Sequence, residues 1–202
     1  MQIYCFGDSI TEGCWDEQGG WVDRLKRRLY AGNIDEGCQP PTIFNLGVSG
    51  QRSDHLLKRI APEIEYRTDD GEERMIFIQV GANDATYIPE QHTFKTPPEA
   101  YRNNIVELIK KAQMYSSRIT MLTITPVNES VTMAGEKVRR NEYVVEYNNL
   151  ISDVARQQGV TILDIYTAFQ VQGPNDLLCA DGLHPNSGGH ALICDMVFRN
   201  IQ

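Results

Sequence analysis

Short apolar runs alternate with longer amphipathic stretches along nearly the whole chain. The runs carry apolar residues at consecutive positions, as strands buried on both faces of a parallel sheet do. The stretches between them repeat apolar residues at i, i+3, i+4 and i+7, which is the spacing of one helix face. Strands are predicted at residues 2–6, 42–46, 75–80, 119–124 and 160–163. Helices are predicted at 20–30, at 53–66, at 97–115, in a stretch that ends at Gly159, and from Pro185 onwards.

This alternation predicts an α/β fold in which helices cover both faces of one parallel sheet. Because crossovers between parallel strands are right-handed, a doubly wound sheet in the order 2-1-3-4-5 is favoured. The sequence has no repeat, linker or low-complexity tract, so residues 1–202 are predicted to form a single domain. Ligands bind beyond the carboxyl ends of the strands in such sheets. A functional site is therefore expected in the loops after strands one, two, three and five.

The charge of the chain limits the classes of partner. Its formal net charge is −8 and its isoelectric point is near 5.0, so we expect no binding to nucleic acid, which requires basic surface. One cluster of basic residues lies in a helical pattern, and we interpret it as the solvated face of that helix. The cluster consists of Arg24, Lys26, Arg27 and Arg28. No apolar run approaches bilayer length and no leader precedes the first strand. We therefore expect a cytoplasmic protein without stable membrane association; its oligomeric state is not predicted.

The cysteines give no sign of a metal site. They are odd in number and lack zinc-type spacing. We interpret them as buried free thiols, with a disulfide or a zinc site as the alternative. The five positions are Cys5, Cys14, Cys38, Cys179 and Cys194.

The loop after the first strand reads Gly7-Asp8-Ser9-Ile10-Thr11. Small residues let the backbone turn sharply and present Ser9 at the edge of the sheet, with its own N–H free to donate. A serine hydroxyl attacks a carbonyl only if a neighbouring base takes its proton. Ser9 is therefore a candidate nucleophile, and the alternative is a helix N-cap, which is common in such loops.

Candidate hydrogen-bond donors follow the second and third strands. Gly47 lies in Asn45-Leu46-Gly47, where glycine permits close backbone approach and its N–H can point into the cleft. Asn83, in Gly81-Ala82-Asn83-Asp84, offers a side-chain amide to a developing oxyanion. The alternatives are a turn glycine at 47 and a turn cap at 83. Ser49 is a competing nucleophile that lacks the G-x-S-x-G elbow.

The run Asp181-Gly182-Leu183-His184-Pro185 follows the last predicted strand. The spacing lets both polar side chains turn the same way, so that Asp181 bonds one imidazole nitrogen of His184 while the other nitrogen faces Ser9. The alternative is a capping aspartate beside an exposed loop histidine. Each signal is weak alone, but all four loops fall at the sheet edge where ligands bind.

Together, the four loops resemble the conserved blocks of the SGNH hydrolases, also called the GDSL esterase/lipase family. The resemblance extends over nearly the whole chain and implies a flavodoxin-like three-layer αβα sandwich. It implies that Ser9 is the nucleophile, His184 the base and Asp181 the acid that orients the base. It further implies an oxyanion hole formed by the N–H groups of Ser9 and Gly47 and by the Asn83 amide.

The family resemblance also implies a serine esterase that works through an acyl-enzyme and needs no metal or organic cofactor. A lysophospholipase or a thioesterase is the alternative within the family. The alternative from another class is a non-catalytic flavodoxin-like domain that binds an anion through the Ser9 loop.

The expected substrates are small soluble acyl esters, with acetylated carbohydrates favoured. Segments 85–96 and 128–140 are polar, unlike the broad apolar lid of an enzyme that acts at a lipid surface. Trp15 and Trp21 are candidates for a platform under the acyl group or sugar, with ordinary core or surface positions as the alternative. The predicted substrate contacts are Asp8, Trp15, Pro126 and Val127. Asp8 and Asp84 are also predicted to accept hydrogen bonds that shape their loops.

Overall fold

Five parallel strands form the central sheet of the computed structural model, which describes residues 1–35, 39–68, 71–133 and 135–201. The strands of this part of the chain are β1 (Gln2–Gly7), β2 (Thr42–Gly47), β3 (Arg74–Gln79), β4 (Tyr87–Ile88), β5 (Thr93–Phe94), β6 (Arg118–Leu122) and β7 (Thr161–Leu163). The sheet has the order β2-β1-β3-β6-β7, and β4 and β5 form a separate antiparallel hairpin. The predicted order 2-1-3-4-5 is confirmed, since β6 and β7 are the fourth and fifth strands of the sheet.

Two groups of helices cover the sheet and make a three-layer αβα sandwich. The helices of the described residues are α1 (Ser9–Glu12), α2 (Gly20–Asp35), α3 (Ser53–Glu65), α4 (Pro98–Gln113), α5 (Glu129–Thr132), α6 (Asn141–Gln158), α7 (Ile165–Gln172) and α8 (Ser187–Ile201). In one group α4 packs against α3 and α6, and in the other α8 packs against α2 and α7. None of the helices in the described ranges is both long and apolar enough to cross a bilayer.

The centre of the sheet is apolar on both faces. All residues of β1 are buried, and Ile3, Tyr4 and Phe6 have no exposed surface. Burial of each such side chain contributes roughly 1.5–3 kcal/mol. At the carboxyl end of β1, Gly7 stands beside Gly47 of β2 and Gln79 of β3. Because these three strands end at one level, the loops that leave them meet at the same edge.

The start of the last helix differs from the prediction. Helix α8 begins at Ser187 rather than at Pro185, because Pro185 forms an antiparallel bridge with Leu178. The side chain of Asn186 then accepts hydrogen bonds from the N–H groups of Gly188 and Gly189 at 2.9 and 3.1 Å. An asparagine in this position satisfies N–H groups that the first helical turn leaves unpaired.

The cysteines partly follow the prediction. Cys5 and Cys194 are buried free thiols, whereas Cys14 and Cys179 are free and only half-buried. Cys38 lies outside the described residues.

Candidate active site

Ser9 is the first residue of α1 and lies at the carboxyl end of β1. The side chain of Asp8 caps this short helix by accepting a hydrogen bond from the Ile10 N–H at 3.0 Å. A Cβ atom at Gly7 would lie 2.1 Å from Thr11 Oγ1, so only glycine allows the turn to close this tightly. The turn leaves the Ser9 hydroxyl at the surface of the sheet edge, with 9% of the residue exposed.

Asp181 and His184 lie on a closed loop before α8. The loop is joined at its base by the bridge between Leu178 and Pro185 and by a hydrogen bond from Cys179 N–H to the His184 carbonyl at 2.8 Å. Within it, Asp181 Oδ1 accepts the N–H groups of Leu183 and His184, each at 3.0 Å. These bonds set the direction of both side chains.

The structure brings these two loops together through the imidazole of His184. Its Nε2 lies 2.8 Å from Ser9 Oγ, and its Nδ1 lies 2.5 Å from Asp181 Oδ2. An ionised carboxylate only accepts, so Nδ1–H donates to Asp181 and the neutral ring presents Nε2 as an acceptor to the Ser9 hydroxyl. Partial burial alone would raise the pKa of Asp181, but hydrogen bonds from the His184 ring and from two backbone N–H groups outweigh it and lower that pKa.

The Asn83 side chain lies beside the loop that follows β2. Its Nδ2 donates to the Gln51 carbonyl at 3.1 Å, and the residue is 8% exposed. An amide nitrogen carries two hydrogens, so this bond fixes the group and leaves one hydrogen for a second acceptor.

The structure corrects the role predicted for Gly47. Its N–H is already donated to Asn45 Oδ1 at 3.1 Å. A Cβ atom at Gly47 would lie 2.0 Å from the Glu12 nitrogen, so the glycine serves to let β2 approach the backbone of α1. Gly47 is therefore a packing residue and does not have a free donor.

Gly50 is the residue that the sequence reasoning missed in this loop. It is exposed, has a φ of 75°, and is followed directly by Gln51, the partner of Asn83. Within the described residues, the Gly50 N–H has no hydrogen-bond partner. The signal was present in the sequence, since Gly50 stands in the same loop as Gly47, but only the hydrogen bonds distinguish the two glycines.

Ser49 is placed away from any base. Its hydroxyl donates to Glu12 Oε2 at 2.6 Å and lies 3.0 Å from Cys14 Sγ. A hydroxyl held by a carboxylate without a histidine contact lacks the arrangement found at Ser9.

Arg59 of α3 joins the ends of β1 and β2, which the sequence did not indicate. Its guanidinium donates to the carbonyls of Gly7 at 3.1 Å and Leu46 at 2.7 Å. It also donates to the side chain of Gln51 at 2.6 Å. One largely covered cation therefore fixes the spacing between the Ser9 loop and the loop that carries Gly50.

Asp84 ties the loop after β3 to the start of α3. Both of its carboxylate oxygens accept the Ser53 N–H at 3.1 Å, and Oδ1 accepts the Ser53 hydroxyl at 2.6 Å. Burial raises the pKa of Asp84 despite these bonds. Its predicted role as an acceptor that shapes the loop is confirmed.

Three of the four predicted substrate contacts are buried. Asp8 is 1% exposed and its side chain is turned to the Ile10 N–H, so it shapes the loop and does not reach a substrate. Pro126 and Val127 are buried, because the backbone of Val127 is bound on both sides by Asn141. Trp21 has no exposed surface and belongs to the core.

Trp15, in contrast, stands beside the imidazole. It is 73% exposed, and its ring lies edge-on to His184 with centroids 6.3 Å apart. With Cys179, Ala180 and Asp181 it lines a shallow recess of about 260 Å³. Its φ of 67° lies in the left-handed region that favours glycine, and such strain costs roughly 1–3 kcal/mol.

The loop that carries Trp15 is anchored by Arg24. This residue was predicted on a solvated face, but its side chain is only 14% exposed because it pairs with Asp16 through Nε at 3.0 Å. A second guanidinium nitrogen bonds the other oxygen of Asp16 at 3.0 Å. Such a bidentate pair is geometrically specific and therefore holds the residue next to Trp15.

No group of three or more His, Cys, Asp or Glu side chains with the geometry of a metal site occurs among residues 1–35, 39–68, 71–133 and 135–201.

Comparison with known proteins gives curated relatives that are named as esterases. The human isoamyl acetate-hydrolyzing esterase 1 homolog is 29% identical over 211 aligned residues, which cover 100% of this chain and 81% of that protein. The isoamyl acetate-hydrolyzing esterase of Saccharomyces cerevisiae is 26% identical, with 98% of this chain and 84% of the yeast protein covered.

Solved structures share the fold. The lipase/acylhydrolase from Enterococcus faecalis superposes with a TM-score of 0.80 at 26% identity, over 99% of this chain and 94% of that one. An acetylxylan esterase from Geobacillus stearothermophilus superposes with a TM-score of 0.75 at 20% identity, over 99% and 93% of the two chains.

The match to the family profile covers most of the chain. The profile of the GDSL-like lipase/acylhydrolase family matches residues 5–192, a range that includes Ser9, Asn83, Asp181 and His184. Both curated relatives described above are named as esterases. The chain therefore belongs to the GDSL-like lipase/acylhydrolase family and is a carboxylic ester hydrolase.

Proposed function

We propose that Ser9, His184 and Asp181 form the catalytic triad of this ester hydrolase. The observation that carries the proposal is the continuous hydrogen-bond chain from Asp181 through His184 to Ser9, with distances of 2.5 and 2.8 Å. Ser9 lies near one end of the chain, and Asp181 and His184 lie near the other. The order carboxylate, imidazole, hydroxyl along the hydrogen-bond chain matches the roles of acid, base and nucleophile.

In the first half of the reaction, His184 Nε2 takes the proton of the Ser9 hydroxyl while Oγ attacks the ester carbonyl carbon. The imidazolium that forms is stabilised by the Asp181 carboxylate, which does not itself take the proton. His184 then gives the proton to the leaving alkoxide, and the acyl group remains bound to Ser9 Oγ.

Three donors are assigned to stabilise the negative charge that develops on the carbonyl oxygen: the Ser9 N–H, the Gly50 N–H and the second hydrogen of Asn83 Nδ2. Gly50 replaces Gly47 in this assignment because the Gly47 N–H is already donated to Asn45. Arg59 and Asp84 support these donors, since they bind Gln51 and Ser53 on either side of the same loop. Preorganised donors of this kind require no rearrangement as charge develops.

In the second half, a water molecule replaces the alcohol. His184 takes a proton from the water as its oxygen attacks the acyl carbon, and then returns that proton to Ser9 Oγ as the carboxylic acid leaves. In both halves of the reaction, the imidazole of His184 accepts the proton and then donates it.

Acetyl esters of small alcohols, with acetylated carbohydrates as one group, are the proposed substrates. Two of the similar proteins are named for acetate esters, an isoamyl acetate-hydrolyzing esterase and an acetylxylan esterase. The recess beside Trp15 is shallow, which suits a small group, and the exposed indole offers a flat face to a sugar ring or an alkyl chain.

Labelling with a fluorophosphonate tests the triad. The probe should react with the wild-type protein and fail to react with Ser9→Ala, whose kcat for 4-nitrophenyl acetate should fall by about 10⁶-fold. Ser49→Ala is the matched control and should still be labelled. Equal labelling of the Ser9→Ala variant would reject the assignment, and absence of labelling in both wild type and control would favour a non-catalytic role.

A panel of esters tests the substrate. It compares 4-nitrophenyl acetate, butyrate and octanoate with acetylated sugars. The highest kcat/KM is expected for acetyl groups; a maximum at octanoate would point instead to a lipase-like preference.

A further inference from the structure

A small ribbon of three chain segments borders the proposed active site. Its central segment is β4, which pairs with β5 through Tyr87 and Phe94. On its other side, Tyr87 bridges Val138 through two hydrogen bonds of 2.9 Å. If both antiparallel registers continue by one residue, Lys95 and Arg139 lie on either side of Thr86, and Lys137 lies beside Ile88. The hydrogen bond from the Lys95 N–H to the Thr86 carbonyl, at 2.9 Å, agrees with this register.

The register assigns the cations of the ribbon to one face. Residues directly opposite each other in antiparallel segments share a face, and successive residues alternate. Tyr87 and Phe94 lie on the face toward α6, where their rings are 6.0 and 5.0 Å from that of Tyr143. The neighbouring positions, which carry the three cations, therefore lie on the opposite face. We call this the basic face, and it consists of Lys95, Lys137 and Arg139.

The basic face is close to the proposed triad. Arg139 interacts electrostatically with Asp181 and with Asp8. Lys95 interacts with Lys137 and Arg139, as well as with Arg52 in the loop after β2 and with Asp84. Burial and these neighbouring cations lower the pKa of Lys95. Arg139 is thus near the carboxylates beside Ser9 and His184, and Lys95 and Lys137 share the face of the ribbon on which Arg139 lies.

The three side chains lack partners of their own. None of them forms an ion pair or a side-chain hydrogen bond within the described residues, and Arg139 Nε is buried without a partner. The acidic groups nearby direct their oxygens to other donors, because Asp84 binds Ser53, Asp8 binds the Ile10 N–H and Asp181 binds His184, and none of them forms an ion pair with the three cations within the described residues. Arg52 differs from the three, since it pairs with Asp54 at 3.0 Å.

A group of unpaired cations is unexpected in a chain with a formal net charge of −8. Like charges that face one another are destabilising unless an anion lies between them. We propose that the basic face binds an anionic group, such as a carboxylate, carried by the ester substrate at a distance from the reacting carbonyl. The inference rests on the proposed function, because it assigns to that reaction a preference for acidic esters.

Matched pairs of esters test the preference. The first pair is 3-acetoxybenzoate and its neutral methyl ester, with the charge on the alcohol side. The second is monophenyl succinate and phenyl methyl succinate, with the charge on the acyl side. The readout is the ratio of kcat/KM for the anionic ester to kcat/KM for its neutral partner. The first pair gives this ratio for a charge on the alcohol side, and the second pair gives it for a charge on the acyl side.

Two lysines are changed together, Lys95→Gln and Lys137→Gln. A half-buried cation such as Lys95 and an exposed one such as Lys137 each contribute about two- to fivefold, so the ratio for the preferred pair should fall by about tenfold relative to wild type. The matched control, Lys26→Gln with Lys110→Gln, removes the same charge from two exposed helical positions and should leave the ratio unchanged. The wild-type ratio should also fall when salt is raised from about 0.02 to about 0.5 M, because salt screens exposed charges.

The outcomes separate this proposal from the proposed function. Hydrolysis of the neutral esters with no change of either ratio in the lysine variant would overturn the role of the basic face alone. An equal fall in the control variant would also overturn it, since the effect would then be one of overall charge. Failure to hydrolyse any of the four esters would count against the proposed function itself.

Discussion

Ser9 and the Asp181–His184 loop meet at one hydrogen bond but are held in different ways. The Ser9 side is built from buried polar groups, since Asp8 is 1% exposed and Asp84 has no exposed surface. The side chain of Asp181, in contrast, is 39% exposed, and its loop is closed by hydrogen bonds between residues near in sequence. The nucleophile thus lies among buried polar groups that join neighbouring strands and helices, whereas the base and acid lie on a surface loop that local hydrogen bonds close.

The physical reason for the difference is the cost of burying polar groups. A buried carboxylate or guanidinium must satisfy its hydrogen bonds within the protein. Two of the three guanidinium nitrogens of Arg59 form such bonds, to Gln51 and to the ends of β1 and β2, which couples the position of Ser9 to the folding of the sheet. Asp181 remains partly in contact with solvent and does not have this constraint. Substitutions of the supporting residues on the Ser9 side should therefore lower stability, whereas substitution of Asp181 should lower activity with little change in stability.

After that of Ser9→Ala, the largest effect on kcat is expected for Asp181→Asn. An amide cannot hold the required imidazole tautomer, so kcat should fall by about 10⁴-fold. The free energy of unfolding should change by less than about 1 kcal/mol, because the residue is half-exposed. Ester hydrolysis and urea unfolding measure the two quantities. A large loss of stability would show that the Asp181 loop is as strongly coupled to the fold as the Ser9 loop.

Asn83→Ala should lower kcat for 4-nitrophenyl acetate by about 10²–10³-fold, because it removes one proposed oxyanion donor. KM should change much less. The exposed Asn103→Ala in α4 is the control and should retain full activity. A variant with raised KM and unchanged kcat would instead place Asn83 in the binding of the substrate ground state.

Gly47→Ala should mainly destabilise the protein. The new Cβ atom would lie 2.0 Å from the Glu12 nitrogen, and relief of such overlap typically costs about 1–3 kcal/mol or more. Gly188→Ala is the matched control, since its Cβ atom would meet its nearest neighbour, Asn186 Oδ1, at 3.3 Å. Chemical unfolding should show a clear loss for the first variant and little for the second. Equal stability of both variants would remove the evidence that the Ser9 side is tightly packed.

Asp8 should make stability depend on pH. Burial raises its pKa from the ordinary value of 3.8 to about 7 in the folded protein. The folded state therefore holds a proton that the unfolded state releases near pH 4. This contribution is complete below that pH and is lost as pH rises toward 7, by as much as about 1.4 kcal/mol for each pH unit.

The Asp8→Asn variant provides the measurement. Asparagine still accepts the Ile10 N–H but does not titrate, so its free energy of unfolding should fall less than that of wild type between about pH 4 and pH 7. Identical pH dependence in both proteins would show that Asp8 is not a buried titrating group, and would weaken the contrast with the exposed Asp181.

Several features were predictable because they depend on local pattern. The apolar runs located the strands of the sheet, and the rule for right-handed crossovers led to their order. The position of Ser9, Asn83, Asp181 and His184 at one edge of the sheet was predictable because polar residues after parallel strands meet at one edge. Trp15 was proposed from its nearness to the Ser9 loop and does stand beside His184.

Other features had no local signal. Gly47 and Gly50 both fit a turn, and only the bond from the Gly47 N–H to Asn45 shows that one of them is engaged. Asp8, Pro126 and Val127 fall on a promising loop edge, but their burial depends on packing by other segments. The strands β4 and β5 have two residues each, which is too short for an alternating pattern to be recognised.

The amino-acid sequence by itself determined the class of fold, the order of the strands and the loops that carry reactive side chains, because periodicity and turn chemistry act over a few residues. Only the tertiary structure decided which donors remain unpaired, how Arg59 sets the spacing of the loops and that Lys95, Lys137 and Arg139 share one face. These properties depend on distances between residues far apart in the chain, and such distances are fixed when the sheet and its helices pack together.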